Sequence, residues 1–247
     1  MGDEITVTFA GSGDAFGSGG RFQACFHVRR PRGPDVLIDC GATSLPALRR
    51  LGLNPGNVGA VFVSHLHGDH FGGLPFLILD GQFSQRSLPL TVAGPPGTSQ
   101  RLSEAMEVMF PDSTSTPRKF QVDVVELSPG SPARVAGIDV EAWEVVHPSG
   151  APPLGLRLGV DGRTISYTGD TAWTDNLIAL AAGADLFIAE AYYRDKAVPY
   201  HLRLADLIEH RNGLGAKRVV LTHMALDMLA GTSFPFETAH DGYAVRL

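Results

Sequence analysis

Four side chains able to hold a metal ion fall within six residues in the run Ser64-His65-Leu66-His67-Gly68-Asp69-His70-Phe71-Gly72-Gly73. His65 and His67 are two apart, so in an extended segment they point the same way. Asp69 and His70 come where a helix is expected to begin, and can turn towards a second point nearby. Imidazole nitrogens with a carboxylate oxygen suit zinc, iron, manganese or nickel. A single catalytic zinc usually takes three protein ligands, so four in so short a run point to two metals.

Such ligands need a rigid support. The apolar, β-branched run 58–63 leads straight into the motif and reads as a buried strand that delivers it to a sheet edge, where the glycines let the chain turn. Three more ligand types close strand-like runs in the same way. His147 ends Glu144-Val145-Val146-His147, Asp170 follows Ile165-Ser166-Tyr167-Thr168-Gly169, and His223 ends Val219-Val220-Leu221-Thr222-His223. One such residue is no more a ligand than a hydrogen-bonded structural group; three at matching strand ends point to a shared site. Thr168 and Thr222 are expected to hold these loops by side-chain hydrogen bonds.

Elsewhere, strands are predicted where Ile5, Val7 and Phe9 alternate with polar residues and at 22–28, 36–38, 122–127, 138–146, 155–160, 164–167, 186–189 and 219–221. Helices are predicted at 45–51, 98–110, 176–182 and 202–211, the last capped by Gly213. This mixture in two strand-rich halves suggests an α/β fold of two face-to-face sheets with helices outside, in one domain over 1–247.

The run His65-Leu66-His67-Gly68-Asp69-His70, with His147, Asp170 and His223 following in that order, resembles the metallo-β-lactamase superfamily over nearly the whole chain. The resemblance implies a four-layer αββα sandwich with two divalent metal ions between the sheets, zinc first and manganese or iron as alternatives. It implies that His65, His67 and His147 hold one metal, that Asp69, His70 and His223 hold the other, and that Asp170 bridges them. Within the superfamily, the glycine-rich turn 11–20, Asp39, Pro153-Leu154-Gly155-Leu156-Arg157 and Ala189-Glu190-Ala191 resemble the ribonuclease Z branch and its phosphodiesterase relatives, with Ala189 standing where that branch has histidine. The activity implied is phosphodiester hydrolysis through a metal-bridging hydroxide that Asp69 orients. His201 matches a histidine that assists the leaving group, with Glu190 steadying it; Asp39 is expected to orient a ligand from behind. Asp170 follows His147 by only 23 positions, leaving no room for the arm with which ribonuclease Z grips tRNA. A small or short phosphodiester is therefore expected over tRNA, and a homodimer is implied by resemblance alone. Lactone- and thioester-hydrolysing branches share the ligand set and are the alternative. Lactam-cleaving members often carry cysteine where Asp170 stands, and redox members replace a motif histidine by glutamate.

Composition agrees with a soluble enzyme. The 247 residues carry 20 Lys and Arg against 26 Asp and Glu, a net charge of −6, which argues against a chain-wide electrostatic footprint for nucleic acid. Arg29, Arg30 and Arg32 are read as a solvated turn. Cys25 and Cys40 are too few for a disulfide scaffold and are read as buried apolar residues. The opening Met1-Gly2-Asp3-Glu4 lacks the features of a signal peptide, and no run is long and apolar enough for a membrane span, so a cytoplasmic setting is expected. Gly11 and Gly13 lack the third glycine of a dinucleotide fingerprint, and no phosphate loop is present. His27, His210 and His240 have no motif around them.

Overall fold

Several strands of this chain, 58–62, 186–190 and 219–222 among them, are apolar on both faces, and a strand can bury both faces only if its sheet is covered on both sides. The computed structural model describes residues 4–247, so most of the acidic opening lies outside it. In chain order the strands are β1 (Thr6–Gly11), β2 (Cys25–Arg29), β3 (Asp35–Ile38), β4 (Val58–Phe62), β5 (Leu90–Gly94), β6 (Val122–Glu126), β7 (Ala133–Val135), β8 (Ile138–Glu144), β9 (Leu154–Val160), β10 (Arg163–Tyr167), β11 (Leu186–Glu190), β12 (Val219–Thr222), β13 (Glu237–Thr238) and β14 (Ala244–Arg246). They form two seven-stranded sheets, β14-β1-β2-β3-β4-β5-β6 and β13-β12-β11-β10-β9-β8-β7. Each sheet joins an antiparallel part to a parallel part: β3 to β6 are parallel in the first and β10 to β13 in the second.

Helices α1 (Ser44–Arg50), α2 (Gly68–Phe71), α3 (Leu74–Phe83) and α4 (Thr98–Met109) belong with the first sheet, and α5 (Asn176–Ala181), α6 (Leu204–Glu209), α7 (Arg211–Leu214) and α8 (Leu226–Leu229) with the second. Three apolar layers follow. Val7, Phe26, Ile38 and Phe62 meet Leu156, Leu158, Tyr167 and Ile188 between the sheets. Leu37, Val61 and Val92 pack on Leu48, Leu74, Leu77 and Leu102 of the first helix layer. Phe187, Ala189 and Leu221 pack on Leu177, Leu180 and Leu207 of the second. Three cores between four layers make the expected αββα sandwich. No helix among the described residues is long and apolar enough to cross a membrane.

The differences from expectation have local causes. Helix α3 has no polar face to mark it, because Leu74-Pro75-Phe76-Leu77-Ile78-Leu79 is apolar all round. The helix predicted over 202–211 is two short ones, and the left-handed residue that ends the second is Gly215, with φ 63°, rather than Gly213. Arg30 is not merely solvated: it pairs with Asp161 at 3.1 Å, tying the turn after β2 to the turn before β10. Cys25 and Cys40 are free and buried, and burial pushes the Cys25 thiol up to about 12.

Leu156 is fully buried between the sheets. Leu156→Ala should cost about 2–5 kcal/mol of stability, whereas Val108→Ala, on a side chain 83% exposed, should change it by no more than about 0.5 kcal/mol. Chemical denaturation of both variants checks this; equal costs would mean that the packing between the sheets is misread.

Candidate metal centre

Strands β4, β8, β10 and β12 end at one edge of the sandwich, and each delivers ligand types just past its last residue. The motif after β4 is tied to the start of β9 in the other half, where Leu154 N–H donates to the Ser64 carbonyl at 2.9 Å, beside the loop after β10. Gly169 has φ 61°, and a Cβ there would lie 3.0 Å from the Leu154 carbonyl oxygen, so glycine is what lets the Asp170 loop turn against β9. Gly41 answers a similar need on the other side, since a Cβ would stand 2.2 Å from the Asp69 carbonyl oxygen.

All seven residues expected to be ligands come together. His65, His67 and His147 form one group, and Asp69, His70, Asp170 and His223 a second, each with ligand atoms within 4.8 Å of one another. His67 Nδ1 and His147 Nε2 are 3.0 Å apart, and His70 Nε2 lies 3.2 Å from both Asp69 Oδ2 and Asp170 Oδ1. His223 Nε2 is 3.2 Å from Asp69 Oδ2 and 3.5 Å from Asp170 Oδ2. Asp170 faces both groups, with its second oxygen 4.0 Å from His65 Nε2. Two ligands on one zinc ion at its usual bond lengths stand about 3.3 Å apart, so these spacings suit shared ions.

The rings are turned by what lies behind them. Asp39 accepts Ser64 N–H at 2.7 Å, Ser64 O–H at 2.8 Å and His70 Nδ1–H at 2.6 Å. The Ser64 hydroxyl, its proton committed to Asp39, in turn accepts from His65 Nδ1 at 3.1 Å. His147 Nδ1–H donates to the Tyr200 carbonyl at 3.0 Å. In all three histidines Nδ1 is occupied by the protein and Nε2 is left for a ligand role, the arrangement that second-layer partners give to metal-binding imidazoles. Asp39 therefore does what was expected of it. Thr168 and Thr222 also hold the loops: Glu190 N–H donates to Thr168 Oγ1, and Thr222 O–H donates to the Ser12 carbonyl.

The donor set fits divalent cations. Asp39, Asp69, Asp170 and Glu190 are all buried, and among the described residues their ion pairs are to histidines. Buried His65 Nε2 makes no hydrogen bond, and His70 Nε2 and Asp170 Oδ1 meet only each other and Asp69 at 3.2 Å; leaving such groups unsatisfied is a cost. Burial, followed by the charge of His70, pushes His65 well below the usual histidine pKa, which keeps it a neutral donor. Burial opposes a charge on His70, but Asp170, Asp69 and Asp39 outweigh it and raise that pKa well above the usual value.

Glu190 and His201 stand beside these groups. They are hydrogen-bonded through His201 Nδ1 and Glu190 Oε1, and His201 Nδ1 is 4.0 Å from Asp170 Oδ2. Asp170, Glu190, His201 and His223 also have donor atoms close enough for a cation. The hydrogen bonding argues against that use. Glu190 Oε2 already accepts Thr171 N–H and Leu202 N–H, while Oε1 serves His201. Glu190 is satisfied by protein, whereas Asp170 is not.

Sequence reasoning missed the clamp beneath the site. Asp14 accepts Phe16 N–H, Ser18 N–H and Ser18 O–H within the glycine-rich turn, and Asp241 accepts Ser12 N–H, Ser12 O–H and Phe22 N–H from the far end of the chain. The Ser12 carbonyl then receives His223 N–H at 3.1 Å. Asp14 could have been suspected from the turn chemistry around it; nothing local marks Asp241. His27 pairs with Asp35 and His210 stacks on Trp173, away from the cluster.

Two outcomes test the centre. Asp170→Ala should lose metal and activity together, and Asp39→Ala should weaken metal binding about 10–100-fold, both read by chelator competition; unchanged affinity in either would mean that the residue is misplaced. Because the raised pKa keeps a proton on metal-free His70 at neutral pH, metal must displace it. Affinity should then rise with pH, and calorimetry in buffers of different ionisation enthalpy should detect a released proton; binding without one would contradict this charge state.

A family model described as the beta-lactamase superfamily domain matches residues 35–224. Ribonuclease Z of Halorubrum lacusprofundi is 28% identical, with 93% of this chain and 89% of that protein covered. The crystal structure of human tRNase Z, short form, superposes with a TM-score of 0.78 at 26% identity, covering 97% of this chain and 98% of that one. The metallo-beta-lactamase fold protein YhfI from Bacillus subtilis superposes at 0.80 over 99% of this chain and 100% of its own, and at 21% identity speaks to the fold alone. Strand-end ligand types on two facing sheets and a family model spanning most of the chain lead to one assignment: the chain belongs to the beta-lactamase superfamily.

Proposed function

We propose that the chain is a single metal-dependent hydrolase domain that cleaves phosphodiesters, with His65, His67 and His147 on one divalent ion, Asp69, His70 and His223 on a second, and Asp170 shared. The observation that carries this reading is the Glu190–His201 pair set against Asp170, beside two donor groups each sized for an ion. The likeness to proteins named ribonuclease Z and tRNase Z supports it. Zinc suits the imidazole-rich donor set. Bound divalent ions would make water nucleophilic near neutral pH and offset charge on the phosphate oxygens.

The protein's own groups do the rest. Asp69, mostly buried and hydrogen-bonded to His223, would orient the attacking water. His201 is the group that protonates the departing oxygen. Burial opposes its charge, but the hydrogen bond and charge of Glu190 overcome that and raise its pKa above the usual histidine value. Glu190 is itself raised, first by burial and then by Asp170, against the pull of His201. It holds the imidazole by Nδ1 and leaves Nε2 to face the substrate. The ring of Tyr192 stacks on His201 at 4.7 Å and limits its rotation.

The names of the relatives point to RNA, while the short link between His147 and Asp170 is taken up by one loop and the β9–β10 hairpin. We take the substrate to be a phosphodiester gripped close to the scissile bond, so a dinucleotide should be cut about as well as a precursor tRNA; a strong preference for tRNA would overturn that part. Release of nitrophenol from bis(p-nitrophenyl) phosphate, without ring opening of an acyl lactone, is the expected result, and the reverse would place the chain among lactone hydrolases. His201→Ala should keep its metals and lose about 10²–10⁴-fold on unactivated diesters, with little loss where nitrophenol departs. The acid must be protonated to act, so the wild-type rate should fall as pH rises through the raised His201 pKa. That alkaline limb should vanish in the variant; its persistence would remove His201 from the mechanism.

A further inference from the structure

Strand β10 puts Ile165 and Tyr167 into the apolar layer between the sheets, as the alternation of a strand requires of residues two apart. Tyr167 is the last residue of that strand and is fully buried, with its ring edge-to-face on Phe26 at 5.0 Å. A phenylalanine would fill the same space without burying a polar atom, and a buried hydroxyl without a good partner costs about 1–3 kcal/mol. Packing therefore accounts for the ring and leaves the hydroxyl unexplained.

The hydroxyl reaches the second donor group. Among the described residues its one hydrogen-bonding contact is His70 Nδ1, at 3.5 Å. That nitrogen gives its proton to Asp39 at 2.6 Å, so the phenol oxygen is a second, longer acceptor for the same proton. Asp39 follows β3 of the first sheet, whereas Tyr167 ends β10 of the second. The Nδ1 edge of His70 is thus met from both sheets, while Nε2 faces Asp69 and Asp170. Burial, followed by the charges of Asp39 and Asp170, pushes the Tyr167 pKa well above the usual tyrosine value, so the group stays a neutral phenol.

We propose that Tyr167 is a positioning residue of the metal centre: its hydroxyl, reaching across from the second sheet, helps Asp39 hold the His70 proton on Nδ1, so that Nε2 is the nitrogen left for a cation. This rests on the two donor groups being metal sites, and adds a residue that is not itself a ligand. It acts on the group that contains His70 alone, because His65 and His147 meet Ser64 and the Tyr200 carbonyl at their Nδ1 atoms instead.

The test compares wild type, Tyr167→Phe and Tyr243→Phe as full-length proteins loaded with zinc, by chelator competition and by nitrogen-15 spectra of the histidine rings. Tyr243 is the control, since its hydroxyl bonds Arg218 and Glu237 rather than a histidine. Tyr167→Phe should weaken the ion followed on the His70 signals about three- to tenfold and leave the ion followed on His65 unchanged, while Tyr243→Phe changes neither. The His70 Nδ1–H of the loaded protein should exchange faster with solvent in Tyr167→Phe, with the His65 signals in place. The Tm of metal-free Tyr167→Phe should be unchanged or higher, because the core loses a poorly satisfied hydroxyl and no apolar group. Wild-type affinity for both ions in Tyr167→Phe overturns the proposal, and so does equal weakening of both with a lower metal-free Tm, which would make the hydroxyl a folding element. A wild type that takes up no zinc removes the metal centre and this role with it. Zinc bound as expected, without cleavage of any diester, removes the phosphodiesterase reading and leaves the role of Tyr167 supported.

Discussion

A single buried carboxylate holds the arrangement of this site. Asp39 receives three hydrogen bonds from the loop after β4, and two of them come from Ser64, the residue before the first histidine. Because the Ser64 hydroxyl spends its proton on Asp39, it can only accept from His65, and because His70 donates to Asp39 by Nδ1, it presents Nε2. One carboxylate thus sets the orientation of two imidazoles that belong to two different donor groups. Hydrogen bonds to an ionised group are among the stronger ones in proteins, and burial removes the water that would compete for them.

The same carboxylates create a problem that side chains alone do not solve. Four buried acids face histidines, with no lysine or arginine among their partners in the described residues. Their charges raise the pKa values of His70 and His201 above the usual histidine range and so favour a proton on each. The unpartnered His65 Nε2, and the carboxylates now met only by histidines, are what divalent ions would satisfy. Metal affinity and the protonation of the cluster are therefore one equilibrium.

How much of this was legible depended on how local the signal was. The ligand run 65–70 and the ligands closing the strands at His147, Asp170 and His223 could be read because residue type and position after an apolar strand both lie in one short stretch. Two facing sheets could be read from mixed α and β segments in two strand-rich halves, and the αββα layering came from the family resemblance. Helix α3 could not, since a helix without a polar face lacks the 3.6-residue signature. Asp241 was invisible because its partners Ser12 and Phe22 lie more than two hundred positions away. The part played by the Tyr200 carbonyl could not be read either, because a carbonyl has no residue type to recognise.

Part of the backbone strain sits where the ligand types are; the other left-handed non-glycine residues, Gln85, Asp112, Ala136 and Asp161, lie in turns elsewhere. Asp39, Tyr200 and His223 all have left-handed backbones, with φ of 57°, 67° and 55°. Each such residue costs on the order of 1–3 kcal/mol, and each is anchored by a bond that its conformation makes available. The Asp39 side chain reaches back over the β4 loop, the Tyr200 carbonyl turns to His147, and His223 N–H reaches Ser12. None of the three lies within a strand. The sheets continue their hydrogen bonding up to the last residue before each turn, and the three apolar layers hold the strand ends in place. Strain at the edge is thus tolerated because the sandwich beneath it is unstrained, and a site at strand ends can take a shape that no strand interior would allow.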